Sequence, residues 1–299
     1  MYSMMKQRAI GVLLLQETHL TAERQRDVTK MFKGRIKILF SEHPDAPTRR
    51  EGVAIVLNKN QVDMRQVTHT EIIPGRAMQI SLKGRGDDSI NILCIYVPTP
   101  DGIEERRRFF QKLKHYYEHH PETPKPCIMA GDFNNVEEAL DRLPVAEPDT
   151  LLSDLDALKL ELGLMLVDGW RQTNPTERQY IFHRGSRAAA VCSRLDRIYV
   201  SRDTFSRSRE WEIKTVGVKT DHSLVSVQVT MENAPTVEKG RPTFALHLLK
   251  DKTLAKLMKK TGCEAIAELN TLEANGTRSD TRNVQVILFN LKQTWLKAA

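Results

Sequence analysis

Cysteine is scarce in this chain, 4 among 299 residues. Cys94, Cys127, Cys192 and Cys263 lie far apart without any Cys-x-x-Cys spacing, and the first two sit in the apolar runs Ile-Leu-Cys-Ile-Tyr and Pro-Cys-Ile-Met-Ala. This excludes a disulfide framework and a cysteine-paired zinc site, and it reads as reduced core thiols. Long hydrophobic runs are missing too. The apolar stretch from Ala9 to Leu15 passes at once into Gln16-Glu17 with no cleavage site, so it is a strand, neither a signal peptide nor a membrane span, and no membrane partner is expected. Acidic charge is in deficit: 38 Asp and Glu against 45 Lys and Arg leave +7. That excess suits a polyanion and equally an ordinary basic protein. At 40% hydrophobic residues the chain can bury a full core in one large domain or two ordinary ones.

Strand-like runs occur at 11–15, 36–40, 53–58, 77–82, 90–97, 126–130, 195–200 and 224–230. A helix is predicted over 21–33, opened by Thr21 and stopped by Gly34; another follows Asp101, and a third runs from about Thr150 to Leu162 before Gly163. Arg106 to Arg108 begin the second helix and read as its solvated face. Lys-Gly-Arg-Gly-Asp-Asp after residue 82 signals a hairpin, so the sheets are at least partly antiparallel. Helices and hairpins together predict a layered α/β (α+β) domain with two sheets. From about residue 231 the character changes. Residues 231–242 read as a linker, and 243–299 as a helical tail with stripes at Leu246, Leu248, Leu249, Leu254, Leu257 and Met258 and at Val284, Val286, Ile287, Phe289, Leu291 and Trp295.

The chemistry-bearing residues stand at strand ends. In Cys127-Ile-Met-Ala-Gly-Asp132-Phe-Asn134 an apolar run stops at a glycine and presents a carboxylate and a carboxamide two positions apart. Alternation puts both on one side of the backbone and out into solvent, an arrangement suited to a metal-bound phosphate and a water. Gln16-Glu17-Thr18 follows the first strand, Tyr96 ends the strand before Pro98, Asp196 lies in Ser-Arg-Leu-Asp-Arg-Ile-Tyr, and Thr220-Asp221-His222-Ser223 precedes the last strand. Each has a plainer reading: an Asx turn at 132–134, a helix-entry carboxylate at Glu17, a core aromatic at Tyr96, an ion pair of Asp196 with Arg194 or Arg197, a polar turn at 221–222. The five together are harder to dismiss than any one of them.

In this order the motifs resemble the endonuclease/exonuclease/phosphatase superfamily. Leu-Gln-Glu-Thr-His, Tyr-Val-Pro, Gly-Asp-Phe-Asn, Ser-Arg-Leu-Asp-Arg-Ile-Tyr-Val-Ser and Thr-Asp-His-Ser look most like the endonuclease domain of LINE-type (non-LTR) retrotransposons, over roughly residues 9–230. The resemblance implies a four-layer sandwich, two mainly antiparallel β-sheets flanked by helices, with a site at one rim. It implies a Mg²⁺-dependent (Mn²⁺ possible) endonuclease on double-stranded DNA. Glu17 would ligate the metal and Asp221 complete the metal or water network; Asp132 would orient the attacking water and Asn134 position water and phosphate; His222, paired with Asp196, would contact the scissile phosphate, and Tyr96 would hydrogen-bond a phosphate oxygen.

The segment Tyr180-Ile-Phe182, joined to 193–201 through 184–192, resembles a surface hairpin that such enzymes place against DNA, with Arg184 and Arg187 binding phosphate. Family members normally open on a strand ending in Asn. Here Met1 to Arg8 resembles the helix that follows that strand, so either a truncated reading frame or another segment filling the gap is expected. The tail resembles a connector preceding a reverse transcriptase module. Nuclear action is the expectation for an enzyme that nicks chromosomal DNA. Two other readings stay open: a catalytically impaired nucleic-acid-binding remnant, and a phosphomonoesterase of the same superfamily.

Overall fold

A short helix, α1 (Tyr2–Gln7), leads into the apolar strand β1 (Val12–Leu15). Thr21 then caps α2 (Ala22–Met31), its hydroxyl accepting from the Arg24 N–H at 3.3 Å. The strands β2 (Ile36–Ser41) and β3 (Val53–Asn58) follow, and β3 lies between β1 and β2, antiparallel to both. Every residue of β3 is buried, because this central strand is covered on both faces.

A second sheet holds β4 (Val67–Ile73), β5 (Ala77–Lys83), β6 (Ser89–Tyr96), β7 (Ile128–Asp132) and β11 (Asp196–Val200), in the order β11-β7-β6-β5-β4. All its pairings are antiparallel except β6 with β7, which are parallel and joined through the helix α3 (Ile103–His119). The computed structural model describes residues 2–32, 34–84, 88–99, 102–146, 148–149, 152–184, 191–215, 217, 220–231 and 251–298.

Period-two alternation divides the buried side chains into three layers of contact. Val53, Ile55 and Leu57 meet Met78, Ile80, Ile92, Cys94, Ile128 and Ala130 between the two sheets. On the outer face of the first sheet, Leu13, Ile36, Ile38, Ala54 and Val56 pack under Met5 and Val28 of the first two helices and Phe32 just after the second. On the outer face of the second, Leu93, Ile95, Met129 and Tyr199 pack under Phe109, Phe110, Leu113 and Tyr117 of α3 and under Leu155 and Leu158 of α4 (Leu152–Glu161). Helices, sheet, sheet, helices: four layers, as the motifs implied.

Two smaller sheets complete this part. β12 (Ser208–Lys214) pairs with β13 (Leu224–Val229), and their Trp211, Ile213, Val227 and Val229 enter the inter-sheet core. β8 (Arg142–Leu143), β9 (Phe182–Arg184) and β10 (Val191–Ser193) form the other, in the order β8-β10-β9. The sequence reading runs residues 193–201 as one strand. The chain breaks instead at Arg194-Leu195, so β10 joins the small sheet and β11 the large one.

The described chain divides into two compact units, Met1–Ala234 and Pro235–Ala299. The second holds α5 (Lys252–Asn275), capped by Asp251, and α6 (Val284–Ala298). Leu254, Leu272 and Ile287 are buried there and Trp295 Nε1 donates to Thr261 Oγ1 at 2.8 Å, whereas Phe289 stays exposed, since a two-helix pair covers one face of each partner. Leu246, Leu248 and Leu249 and nearly all of the expected linker 231–242 lie outside the described residues. No described helix is long and apolar enough to cross a membrane.

Candidate active site

Tyr96, Asp132 and Asp196 occupy one rung of the large sheet: Tyr96 pairs with Asp132 and Asp132 with Asp196. The next rungs inward on the same face are Cys94, Ala130 and Ile198, then Ile92, Ile128 and Val200, all within the inter-sheet core. Alternation therefore carries the core's face to the end of three adjacent strands, where it turns polar. Both Tyr96 and Asp132 are buried and Asp196 is partly so.

Gly131 makes the approach to this rung possible. Its φ is +148°, and a Cβ there would lie 1.9 Å from the Ile95 carbonyl oxygen. Beyond Asp132 regular alternation stops, which corrects the expectation that strand geometry sets Asp132 and Asn134 side by side in solvent. Asn134 has φ +47°, both side chains are buried, and the pair is held by a tight local bond from the Asn134 N–H to Asp132 Oδ1 at 2.8 Å. The Asn134 carboxamide donates to the Val97 carbonyl at 2.8 Å, which leaves its oxygen as the group free to face a ligand.

Glu17 also has a left-handed backbone, φ +51°. Non-glycine residues rarely sit there, and strain of this kind gathers at functional sites. The Tyr96 hydroxyl donates to Glu17 Oε1. Burial, reinforced by Glu17, pushes the phenol's pKa up, so it stays a donor across the working pH range. Asp132 is shifted upward as well, first by burial and then by the facing Asp196.

His222 Nδ1 lies 2.6 Å from Asp196 Oδ2. An ionised carboxylate only accepts, so the ring donates from Nδ1 and presents Nε2 outward. Burial alone would lower the imidazole's pKa; the hydrogen bond and charge of Asp196 outweigh it, and the pKa is raised to about 9. The Phe182 ring packs 5.3 Å from the imidazole. Asp221 is exposed beside it, its backbone carbonyl accepting from the His183 N–H at 3.3 Å. Of the two expected phosphate-binding arginines, Arg184 is exposed at the end of β9 and Arg187 lies outside the described residues.

Several supporting residues escape a reading of the sequence. Arg106, expected on a solvated face, is buried and donates to the Asn134 carbonyl at 3.0 Å, because α3 packs its first turn beneath the site. Arg76 donates to the Tyr96 carbonyl at 3.2 Å and to Glu51 Oε1 at 2.7 Å. The Glu51 and Gly52 carbonyls in turn accept from the His19 and Thr18 N–H groups at 3.3 and 3.1 Å, so this strap ties the Glu17 loop to the Tyr96 strand. Arg194 does not pair with Asp196. It forms a bidentate pair with Asp141 at 2.8 and 2.6 Å and reaches Asp168 at 2.8 Å, all three being buried, while Arg197 turns to Asn135 on the opposite face.

The donors that meet at the rim are oxygens and one imidazole, a set that fits a hard dication such as Mg²⁺. Among the described residues no three carboxylate or imidazole groups of the rim come within 4.8 Å of one another. Mg²⁺ does not need them to, since it takes one or two carboxylates and completes its shell with water and phosphate oxygens.

Residues 3–222 match the model of a family described as the Endonuclease/Exonuclease/phosphatase family. Over 260 residues the chain is 30% identical to the Transposon TX1 uncharacterized 149 kDa protein of Xenopus laevis, an alignment covering 87% of this chain and 19% of that protein. The chain thus spans under a fifth of the length of that relative. Among solved structures it is similar to the endonuclease domain of TRAS1, a telomere-specific non-LTR retrotransposon, with a TM-score of 0.55 at 16% identity over 77% of this chain and 91% of the other. It is similar also to the 3′ phosphatase NExo from Neisseria bound to product DNA hairpin, with a TM-score of 0.58 at 18% identity over 77% and 92%. An AP endonuclease, LMAP from Leishmania major, gives 0.57 at 20% identity over 74% and 78%. At these identities the structural likeness is one of fold.

Proposed function

The chain belongs to the endonuclease/exonuclease/phosphatase family, and from that premise we propose that it is a metal-dependent DNA endonuclease of the retrotransposon type, nicking a phosphodiester at a target site. The observation that carries the reading is the Tyr96–Asp132–Asp196 rung with His222 seated on its outer carboxylate. The similarity to a transposon protein favours the endonuclease over a phosphomonoesterase.

Glu17, with Asp221, would hold Mg²⁺ or Mn²⁺, which supplies charge neutralisation at the phosphate when bound. Asp132, shielded from solvent and raised in pKa, orients the attacking water and takes up its proton. The Asn134 carboxamide oxygen fixes that water on the side away from the Val97 carbonyl. His222, charged at neutral pH, donates from Nε2 to a phosphate oxygen as negative charge develops, and Asp196 keeps the ring aimed. Tyr96 keeps its proton, and its one O–H, given to Glu17 in the free site, would turn to a phosphate oxygen once Glu17 takes the metal. Arg184, with Arg187, holds the DNA backbone. Double-stranded DNA is the substrate in this reading, nuclear action follows from it, and a reverse transcriptase module beside this domain in a full element belongs to the same proposal.

Purified protein on supercoiled plasmid, with Mg²⁺ or with chelator, tests the assignment. Nicking that requires the metal supports it; DNA binding with no nicking in either condition would instead make the chain a binding remnant.

A further inference from the structure

On the outer surface of α3, well removed in sequence from every rim residue, His115, Glu118 and His119 are exposed and offer one ligating atom each, all within 4.8 Å of one another. Residues three and four apart on a helix share a face, so the trio is a direct product of the sequence His-x-x-Glu-His. The two imidazole centroids are 3.8 Å apart.

A second observation bears on the same site. His119 Nδ1 lies 2.8 Å from the His115 carbonyl oxygen. A carbonyl only accepts, so this ring carries its proton on Nδ1 and leaves the Nε2 lone pair open. Metal-ligating histidines are set up in this way, one nitrogen donating to a backbone carbonyl and the other free for the ion. The helix beneath is held firmly: Phe109, Phe110, Leu113 and Tyr117 are buried, and the Tyr117 hydroxyl donates to Gln79 at 2.6 Å. Ligands carried on a packed helix lose little freedom on binding.

We propose that His115, Glu118 and His119 form a surface site for a divalent transition ion of the zinc class. Two imidazoles and one carboxylate suit Zn²⁺, Cu²⁺ or Ni²⁺, whereas Mg²⁺ prefers oxygen donors throughout. Three protein ligands leave a fourth position for water. Two features weaken the site relative to a closed four-ligand one: Lys114 competes for Glu118 at 3.5 Å, and Arg108 and Lys112 line the adjoining groove.

Calorimetric titration of Zn²⁺ into the untagged full chain, with excess Mg²⁺ present to fill the rim, tests this. One equivalent should bind, and His115→Gln and His119→Gln should each weaken it at least tenfold, while Cys263→Ser leaves it unchanged. Both histidines are exposed, so the variants keep the fold, which circular dichroism checks. Absence of saturable binding, unchanged affinity in both His variants, or a loss confined to Cys263→Ser would overturn the proposal.

Discussion

His222, in the loop before β13, and Asp196, opening β11, meet at 2.6 Å. The pair raises the imidazole's pKa to about 9. Asp196→Asn removes the charge and keeps the shape. Nicking by this variant should fall by about 10²-fold at neutral pH, and the alkaline limb of its pH–rate profile should move down toward the ordinary histidine range. An unshifted limb would separate His222 from the rate.

The same shift fixes a stability dependence. The folded-state pKa lies above the ordinary 6.5, so the pair's contribution is fully present below 6.5 and is lost as pH rises through about 9. The difference in melting temperature between the native chain and His222→Ala should therefore shrink as pH rises across that window, measured by thermal unfolding at several pH values.

Gly131→Ala places a Cβ against the Ile95 carbonyl oxygen inside the parallel β6–β7 pair, where neither backbone can yield. Overpacking costs about 1–3 kcal/mol, and the left-handed φ adds to it. Denaturant unfolding should show a loss of at least about 3 kcal/mol, or the variant should fail to fold.

Arg194→Met strands Asp168 Oδ2 and Asp141 Oδ2 in the interior, while Arg171 still bonds the other oxygen of each. Breaking one side of a buried ion pair costs about 3–5 kcal/mol, and a denaturant midpoint shift of that size is expected. A change under about 1 kcal/mol would mean that water reaches the cluster.

Arg184→Ala should lower the slope of log affinity for duplex DNA against log salt by about one unit. An equal slope in the native chain and the variant would remove β9 from the interface.

Much of the candidate site was legible because its residues stand at the ends of alternating strands: Asp132 closes β7 and Asp196 opens β11, each in line with core side chains, and the register aligns them. What stayed hidden is long-range. Three consecutive arginines at a helix start look alike, yet Arg106 alone is buried, because only docking of α3 decides which one faces the Asn134 carbonyl. Arg76 and Glu51 become a strap only when the turn before β5 meets the segment before β3, a contact with no local spacing to announce it. Asn134 misled for a different reason. Its positive φ breaks the alternation that period-two reasoning assumes, and the carboxamide reaches its place by a turn rather than by a strand.

In the proposed reaction Asp132, buried at the polar end of the sheet face, is the group that takes the water's proton. Single-turnover nicking of supercoiled plasmid in Mg²⁺ by the native chain and by Asp132→Ala measures it. The variant's rate should fall by at least about 10³-fold with DNA affinity retained, on the order of removing a catalytic base. A variant that nicks within tenfold of the native rate would contradict it.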